Sequence, residues 1–419
     1  MRTETRNVVL CCLYFFLAMA GYYVLKPIRE SFFLHSQGAQ NFPSVHILVG
    51  LATLVALQLY DVLVRLYTGG VLVVASNVVF VVGTCGMWAA MVSVAPQGAL
   101  HQALAWVFYV WVSILAVFVV ALFWALTHNV FTPEQGQRLY GFIGAGGILG
   151  GAYGGFVTER LSLVIGTDHL LLLAALLLAP CIRLGWVLQR EASTREAAQQ
   201  LATREGGSSW ALVAGDRYLL SIALLVFLTM VIAELGDHQT QRVLEKAFDR
   251  KDQLTSFYGS LYRNVNVVGL IVNVVVTCPV QVRWGPWPGL VLLQLVAAGK
   301  ALALVWFPQA SLLRYGLTLD LAIHYSIYQA SKELLYTPTS PAVKYRAKAV
   351  IDTLVFRLGL STGALWVLFS LRGATLPAIS IYVCILAVAA IVTSVRLDRQ
   401  YRTLVGASSS TPRPGTPGR

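Results

Sequence analysis

Apolar runs of about twenty residues, separated by short polar breaks, dominate this chain, and that is the length an α-helix needs to cross a bilayer core. On this template, spans fall near 7–26, 44–67, 70–95, 101–128, 140–164 and 168–189. A second set falls near 217–238, 254–280, 287–308, 311–335, 347–370 and 374–395. Between the sets lies a charged stretch, 190–216, holding Arg190, Glu191, Arg195, Glu196, Arg204 and Glu205. After about residue 404 the chain turns Ser-, Thr-, Pro- and Gly-rich, a composition that builds no packed core. The pattern predicts an all-α integral membrane protein of about twelve transmembrane helices. Its expected parts are an N-terminal six-helix bundle (1–189), a cytoplasmic linker (190–216), a C-terminal six-helix bundle (217–403) and a disordered tail (404–419).

A faint repeat supports the six-plus-six division. Phe131-Thr132-Pro133 follows the fourth span and Tyr336-Thr337-Pro338 follows the tenth, 205 positions later. The residue before a proline is biased away from helix, so both steps end a span at the same place in each half. Parallel repeats of this kind belong to major-facilitator-like pseudo-two-fold bundles.

Composition agrees. Of 419 residues, 57% are hydrophobic and 12% are charged, against roughly 25% charged in a soluble domain. The bilayer is therefore the expected main partner. The net charge of +12 would suggest nucleic acid in a soluble protein, but here the basic residues sit mostly at span ends. With both termini inside, 18 Lys/Arg fall in inner segments, 9 in outer ones and 4 within spans. That bias predicts a cytoplasmic N-terminus, C-terminus and linker. One outer segment runs against it: Arg242, Lys246, Arg250 and Lys251 follow the seventh span, offset by Glu245, Asp249 and Asp252. The stretch 239–253 reads as an amphipathic re-entrant or interfacial helix that could gate a cavity.

Arg2 and Arg6 precede the first apolar run and Ala18-Met19-Ala20 resembles a cleavage site, yet the run continues through Leu25, so an uncleaved first span is expected. The cysteines 11, 12, 85, 181, 278 and 384 lie in apolar stretches without CxxC spacing, which argues against a disulfide framework or metal site.

Chemistry is sparse and therefore conspicuous, because charge inside a span is expensive. Lys26, Arg29 and Glu30 lie at the outer end of the first span around Pro27, which is expected to break the helix. The two cations can meet an anionic solute or snorkel to headgroups. Lys332 and Glu333 are adjacent on the tenth span and point to different faces, so each needs a partner elsewhere. Candidate partners are Glu234 and Asp237 on the seventh span, Arg263 on the eighth and Lys300 on the ninth. Asp320 and His324, four apart, offer either a proton relay or a structural pair. Arg357 follows Asp352 by five positions on the eleventh span, so the two share a face only in part. Lys26, Arg29, Lys332, Arg263 and Lys300 are candidate substrate contacts. Glu30, Glu234, Asp237, Asp320, His324, Glu333 and Arg357 are candidate gating or coupling groups.

The glycine-rich run from Gly141 to Gly155 is not a dinucleotide fingerprint, since no strand precedes it and Leu149 stands where the last glycine should be. Glycines four apart within a span mean close helix packing. No P-loop, HExxH or GxSxG occurs, so neither enzyme nor cofactor is expected.

The stretch His324-Tyr-Ser-Ile-Tyr-Gln329-Ala-Ser-Lys332-Glu333-Leu-Leu-Tyr336-Thr-Pro338, with Lys344-Tyr-Arg-Ala-Lys348-Ala-Val-Ile-Asp352, resembles a signature of the nucleotide transporter family. These are the ATP/ADP translocases of plastids and obligate intracellular bacteria, with their shorter bacterial relatives. Tyr22-Tyr-Val-Leu-Lys26-Pro-Ile-Arg29-Glu30 is similar to the end of the family's first span, and Arg138-Leu-Tyr-Gly-Phe-Ile-Gly-Ala-Gly-Gly to the start of its fifth. Gln329-Ala330-Ser331 replaces an Asp-Pro step, and Glu30 stands where Asp is common. The resemblance implies a major-facilitator-like fold and nucleotide exchange, with Lys26 and Lys332 meeting the substrate. The resulting expectation is a secondary transporter of the bacterial inner membrane that moves a nucleotide or related organic anion by alternating access. It takes a small anionic solute as ligand, with no nucleic acid and no obligate protein partner. A proton-coupled carrier of another solute, using Asp320, His324 and Glu333, and a non-transporting scaffold or sensor are the competing readings.

Overall fold

In the computed structural model the described residues are 2–66, 69–95, 98–192, 213–339 and 347–410. They form helices throughout, with no strand among them. In chain order the long helices are α1 (Arg2–Gln37), α2 (Phe42–Leu66), α3 (Gly69–Ser93), α4 (Ala99–Val130), α5 (Pro133–Ile165) and α6 (Leu170–Ala192). Then follow α7 (Arg217–Ala247), α8 (Lys251–Trp284), α9 (Trp287–Trp306), α10 (310–335), α11 (Ala347–Leu371) and α12 (Leu376–Ser410). Among the described residues, ten of these helices are long and apolar enough to cross a membrane. The two that fall short are α5, diluted by glycine, and α10, which carries Asp320, His324, Gln329, Lys332 and Glu333. Large apolar side chains such as Leu176, Val274, Trp306 and Phe369 are more than two-thirds exposed, an outer surface suited to lipid. The chain is a multi-pass membrane protein.

Two compact units divide the helices. One comprises Met1–Glu205 with Gln241–Val267, and the other Gly206–Thr240 with Val268–Arg419. The end of α7 and the beginning of α8 are thus members of the first unit.

In the first unit α1 is the central helix, packed by α4, α5 and α6. Phe15 stacks on Phe123 of α4 with ring centroids 4.1 Å apart. The glycines of α5 let its backbone touch α1. A Cβ on Gly150 would run into the Phe16 carbonyl, and one on Gly154 into the Ala20 carbonyl. Gly155 and Gly259 play the same part between α5 and α8, each facing the other helix's backbone. α5 itself starts on a capping box: Thr132 Oγ1 accepts from Gln135 N–H at 3.3 Å, and Gln135 Oε1 accepts from Thr132 N–H at 3.0 Å. Pro133 occupies the first turn, where its missing donor costs nothing.

Three sequence expectations change here. Pro27 does not end α1, which continues ten residues further, to Gln37. Proline removes one backbone hydrogen bond, but in an apolar setting a broken helix would leave many more unsatisfied, so the helix persists on both sides. It stops at Gly38, whose φ of 77° favours glycine. Second, 239–253 is not a separate re-entrant helix. It is the last turns of α7, a short turn and the first residues of α8. Third, α12 runs on to Ser410, past the point where a tail was expected to begin at 404. The tail over 411–419, and most of the linker over 190–216, lie outside the described residues.

The α7–α8 turn is tied to its unit by polar contacts. Lys251 Nζ donates to both oxygens of Asp168, at 2.7 and 2.9 Å, in the turn between α5 and α6. Asp252 Oδ1 accepts from the backbone N–H of Thr167 at 2.8 Å and from its hydroxyl at 2.6 Å. Thr255 joins Thr167 at 2.9 Å and Ser31 of α1 at 2.5 Å. Glu245 accepts from Ala39 N–H at 3.2 Å. Asp252→Ala leaves two donors of Thr167 without their acceptor, which costs about 1–3 kcal/mol. A thermal melt in detergent should show that loss, and a melt identical to wild type would mean these bonds contribute nothing.

The second unit packs α7, α9, α10, α11 and α12 around residues such as Leu235, Leu290, Tyr328, Ile351 and Leu397. Small residues again allow close approach. A Cβ on Gly289 of α9 would meet Ser331 and the Ile327 carbonyl of α10, and one on Gly363 of α11 would meet Glu234 of α7.

Candidate functional site

Charged and aromatic side chains gather in each unit. In the first, Lys26, Arg29 and Glu30 lie inside α1 rather than at its end, and Lys26 and Glu30 are buried. The Lys26 ammonium sits 4.1 Å from the ring centre of Tyr262 on α8 and 5.5 Å from that of Tyr23. An ammonium held over desolvated rings gains about 2 kcal/mol. Arg29 donates to Ser113 Oγ of α4 at 3.0 Å, stacks over the Tyr109 ring at 4.5 Å and pairs with Glu30. Tyr109 Oη donates to the other Glu30 oxygen at 3.3 Å and lies 3.0 Å from His46 Nε2. Lys26 is thus buried among aromatic side chains of its own unit. Arg263, on α8, pairs with Glu159 of α5 and reaches its neighbour Asn264.

In the second unit, Lys332 Nζ donates to Asp352 Oδ1 of α11 at 2.8 Å. Lys348 Nζ donates to Glu333 Oε2 at 2.7 Å, and Gln329 Nε2 to the other Glu333 oxygen at 3.3 Å. Lys332 and Glu333 do find partners on another helix, as their adjacency required. The partners stand on α11, not at Glu234, Asp237, Arg263 or Lys300. The hairpin geometry explains the choice. Lys332 and Asp352 each stand ten positions from residue 342, so an antiparallel α10–α11 pair brings them level. Lys344 and Arg346 of the same motif lie outside the described residues.

Lys300 of α9 pairs with Asp320 of α10 beside an apolar cleft lined by Leu304, Leu312, Gly316 and Leu319. Asp320 is thereby hydrogen-bonded by a lysine, while the His324 ring stacks on Tyr328 with centroids 5.3 Å apart. Among the described residues Asp320, His324 and Glu333 form no continuous hydrogen-bonded chain, so the geometry does not favour the relay. Glu234 is buried on α7 against Gly363, and Asp237 follows it by three positions. Arg357 stands in the turn of α11 after Asp352.

Two features escape residue-by-residue reading. Asp352 and Lys348 stand in the quoted motif, yet only the hairpin register reveals them as counter-ions. Of four π-helical turns among the described residues, one, His324–Tyr328, precedes Lys332 on α10 and another, Ile351–Val355, contains Asp352. Such turns are rare and concentrate at functional sites. They also re-aim side chains relative to a pure 3.6 period, and no periodicity in the sequence announces them.

Residues 316–401 match the family of TLC ATP/ADP transporters, a stretch that contains Lys332, Glu333, Lys348 and Asp352. Over that stretch the chain is similar to the TLC ATP/ADP transporters. It is 24% identical over 285 residues to ADP,ATP carrier protein 1 of Chlamydia muridarum, covering 58% of this chain and 54% of that one. It is 21% identical over 334 residues to ADP,ATP carrier protein 4 of Rickettsia felis, covering 68% and 65%. The chain thus spans roughly half to two-thirds of the length of these curated relatives. Among solved structures it is similar to a point mutant of the nucleoside transporter NupG, with TM-score 0.65, 11% identity and 95% and 99% of the two chains covered. A POT peptide transporter in complex with sulfate gives TM-score 0.66 at 11% identity, covering 95% of each. At that identity the likeness concerns the fold alone. The chain is thus all-α, built of about twelve membrane helices, and shares its fold with these solved structures.

Proposed function

We propose that this TLC relative is a secondary transporter that moves nucleotides of the ATP/ADP kind, or a closely related organic anion, by alternating access. The observation that carries the reading is the buried Lys332–Asp352 pair inside the stretch that matches the TLC family. Lys332 in one unit, and separately Lys26 and Arg29 in the other, are cations of the kind that phosphate oxygens bind. Lys300 and Arg263 are further cations held in place by carboxylates. Glu30, Asp320 and Asp352 compete with a substrate anion for these cations and so couple binding to rearrangement, while Glu333 holds Lys348 beside them. Glu234, Asp237 and Arg357 belong to the same coupling network in this reading. In this reading the carrier sits in a bacterial inner membrane, and the two-to-one inner excess of Lys and Arg supports cytoplasmic termini.

The test is counterflow in proteoliposomes. Vesicles preloaded with unlabelled ADP should accumulate labelled ATP transiently above equilibrium, and excess external ADP should suppress the signal. Folded protein that gives no counterflow with any nucleoside di- or triphosphate would overturn the reading.

A further inference from the structure

Obligatory exchange has a physical cause. A carrier whose cargo-binding cations are bare cannot pass them through an occluded, low-dielectric state, because an unpaired charge there is expensive. Such a carrier reorients only when an anion is aboard. The requirement disappears where the chain supplies the neutralising anions itself.

This chain does so at its candidate cargo cations. Arg29 is held by Glu30, Lys332 by Asp352 at 2.8 Å, and Lys300 by Asp320. Each pair is formed within one unit, so none depends on the other unit's conformation for its neutrality. The lysines at 300 and 332 are each less than a tenth exposed, and their carboxylate partners are more open. The Lys26 ammonium also lies over the electron-rich faces of Tyr262 and Tyr23.

We infer that this carrier also reorients without cargo, so that beside exchange it catalyses net flux of nucleotide down its gradient. The inference rests on the nucleotide-carrier reading above. In the loaded carrier the phosphate oxygens take the cations from Glu30, Asp352 and Asp320. On release the same carboxylates return, and the cations are neutralised again. Exchange and net flux then use the same cations and differ only in whether the return stroke carries an anion.

The experiment compares labelled ATP uptake into vesicles loaded with ADP and into vesicles holding buffer alone. Potassium and valinomycin dissipate the charge that net nucleotide entry would build. Initial net uptake is expected at more than about a tenth of the exchange rate, and a smaller fraction overturns the inference, since an added barrier of about 1.4 kcal/mol on the empty stroke already gives tenfold. Exchange with such weak net uptake would leave the carrier reading intact. No flux in either condition, with folded protein, would sink both. Asp352→Asn strips Lys332 of its counter-ion and should lower the ratio of net to exchange rates about tenfold or more. Asp320→Asn at the Lys300 pair makes the same test where the first variant does not fold. An unchanged ratio in the variant that folds overturns the role assigned to the carboxylates.

Discussion

Lys332→Ala should abolish measurable counterflow and destabilise the protein by about 3 kcal/mol, near the low end for breaking a buried ion pair. The low end applies because Asp352 keeps a quarter of its side chain exposed. The two effects have different causes. Stability falls because the Asp352 carboxylate is left facing apolar helix without its ammonium. Transport falls because a phosphate oxygen loses a charged donor, a contact worth about 1.5–3 kcal/mol, or roughly 10- to 150-fold in affinity. A second substitution separates them. Lys332→Ala with Asp352→Ala removes both charges, so the melting temperature should recover most of the loss while counterflow stays absent. Wild-type counterflow in Lys332→Ala would remove this lysine from the site. Recovery of flux in the double variant would mean that the lysine acts only as a structural counter-ion.

Gly150→Ala should be among the most damaging single-methyl additions in the chain. The new Cβ would overlap the Phe16 carbonyl of α1 and lie 2.9 Å from its carbonyl carbon. These are backbone atoms of the central helix, so relief requires α1 and α5 to separate over several turns. Overpacking of this kind costs about 1–3 kcal/mol, and more where no side chain can yield. Gly144→Ala, less than two turns earlier on the same helix, meets nothing within 4 Å. Alanine there should be neutral or gain up to about 1 kcal/mol from its better helix propensity. Melting curves of the two variants in one detergent would decide the matter. Equal stabilities would show that α5 does not depend on close contact with α1 at Gly150.

The glycines illustrate how far a sequence can be read. Their spacing within a span announced close packing, but not which helix each one faces. Gly150 and Gly154 serve α1, while Gly155 serves α8. The same division holds for the charges. Lys332 and Glu333 advertised themselves because ions in an apolar run need a reason. Their partners emerged only when α10 and α11 were laid side by side. Lys26 and Arg29 were visible as cations, but they were placed at a helix end on the strength of Pro27. The fold kept the helix, because in an apolar environment one missing hydrogen bond costs less than a frayed turn. Asp320 and His324 share a face as their spacing implies, yet Lys300, on the preceding helix, takes the carboxylate.

The sequence by itself determined the class of protein, the number and order of its helices, the Thr-Pro breaks that end α4 and α10, and the few positions where charge enters apolar helix. These follow from local facts: the length of an apolar run, the missing donor of proline and the cost of an ion away from water. The tertiary structure alone decided which ions neutralise one another, that α1 continues past Pro27 to Gln37, that 239–253 joins the end of one long helix to the start of the next through a short turn, and that one π turn precedes Lys332 while another contains Asp352. Those outcomes depend on which helices pack together and in what register, and a helix's hydrophobic pattern names the face that is covered without naming the neighbour that covers it.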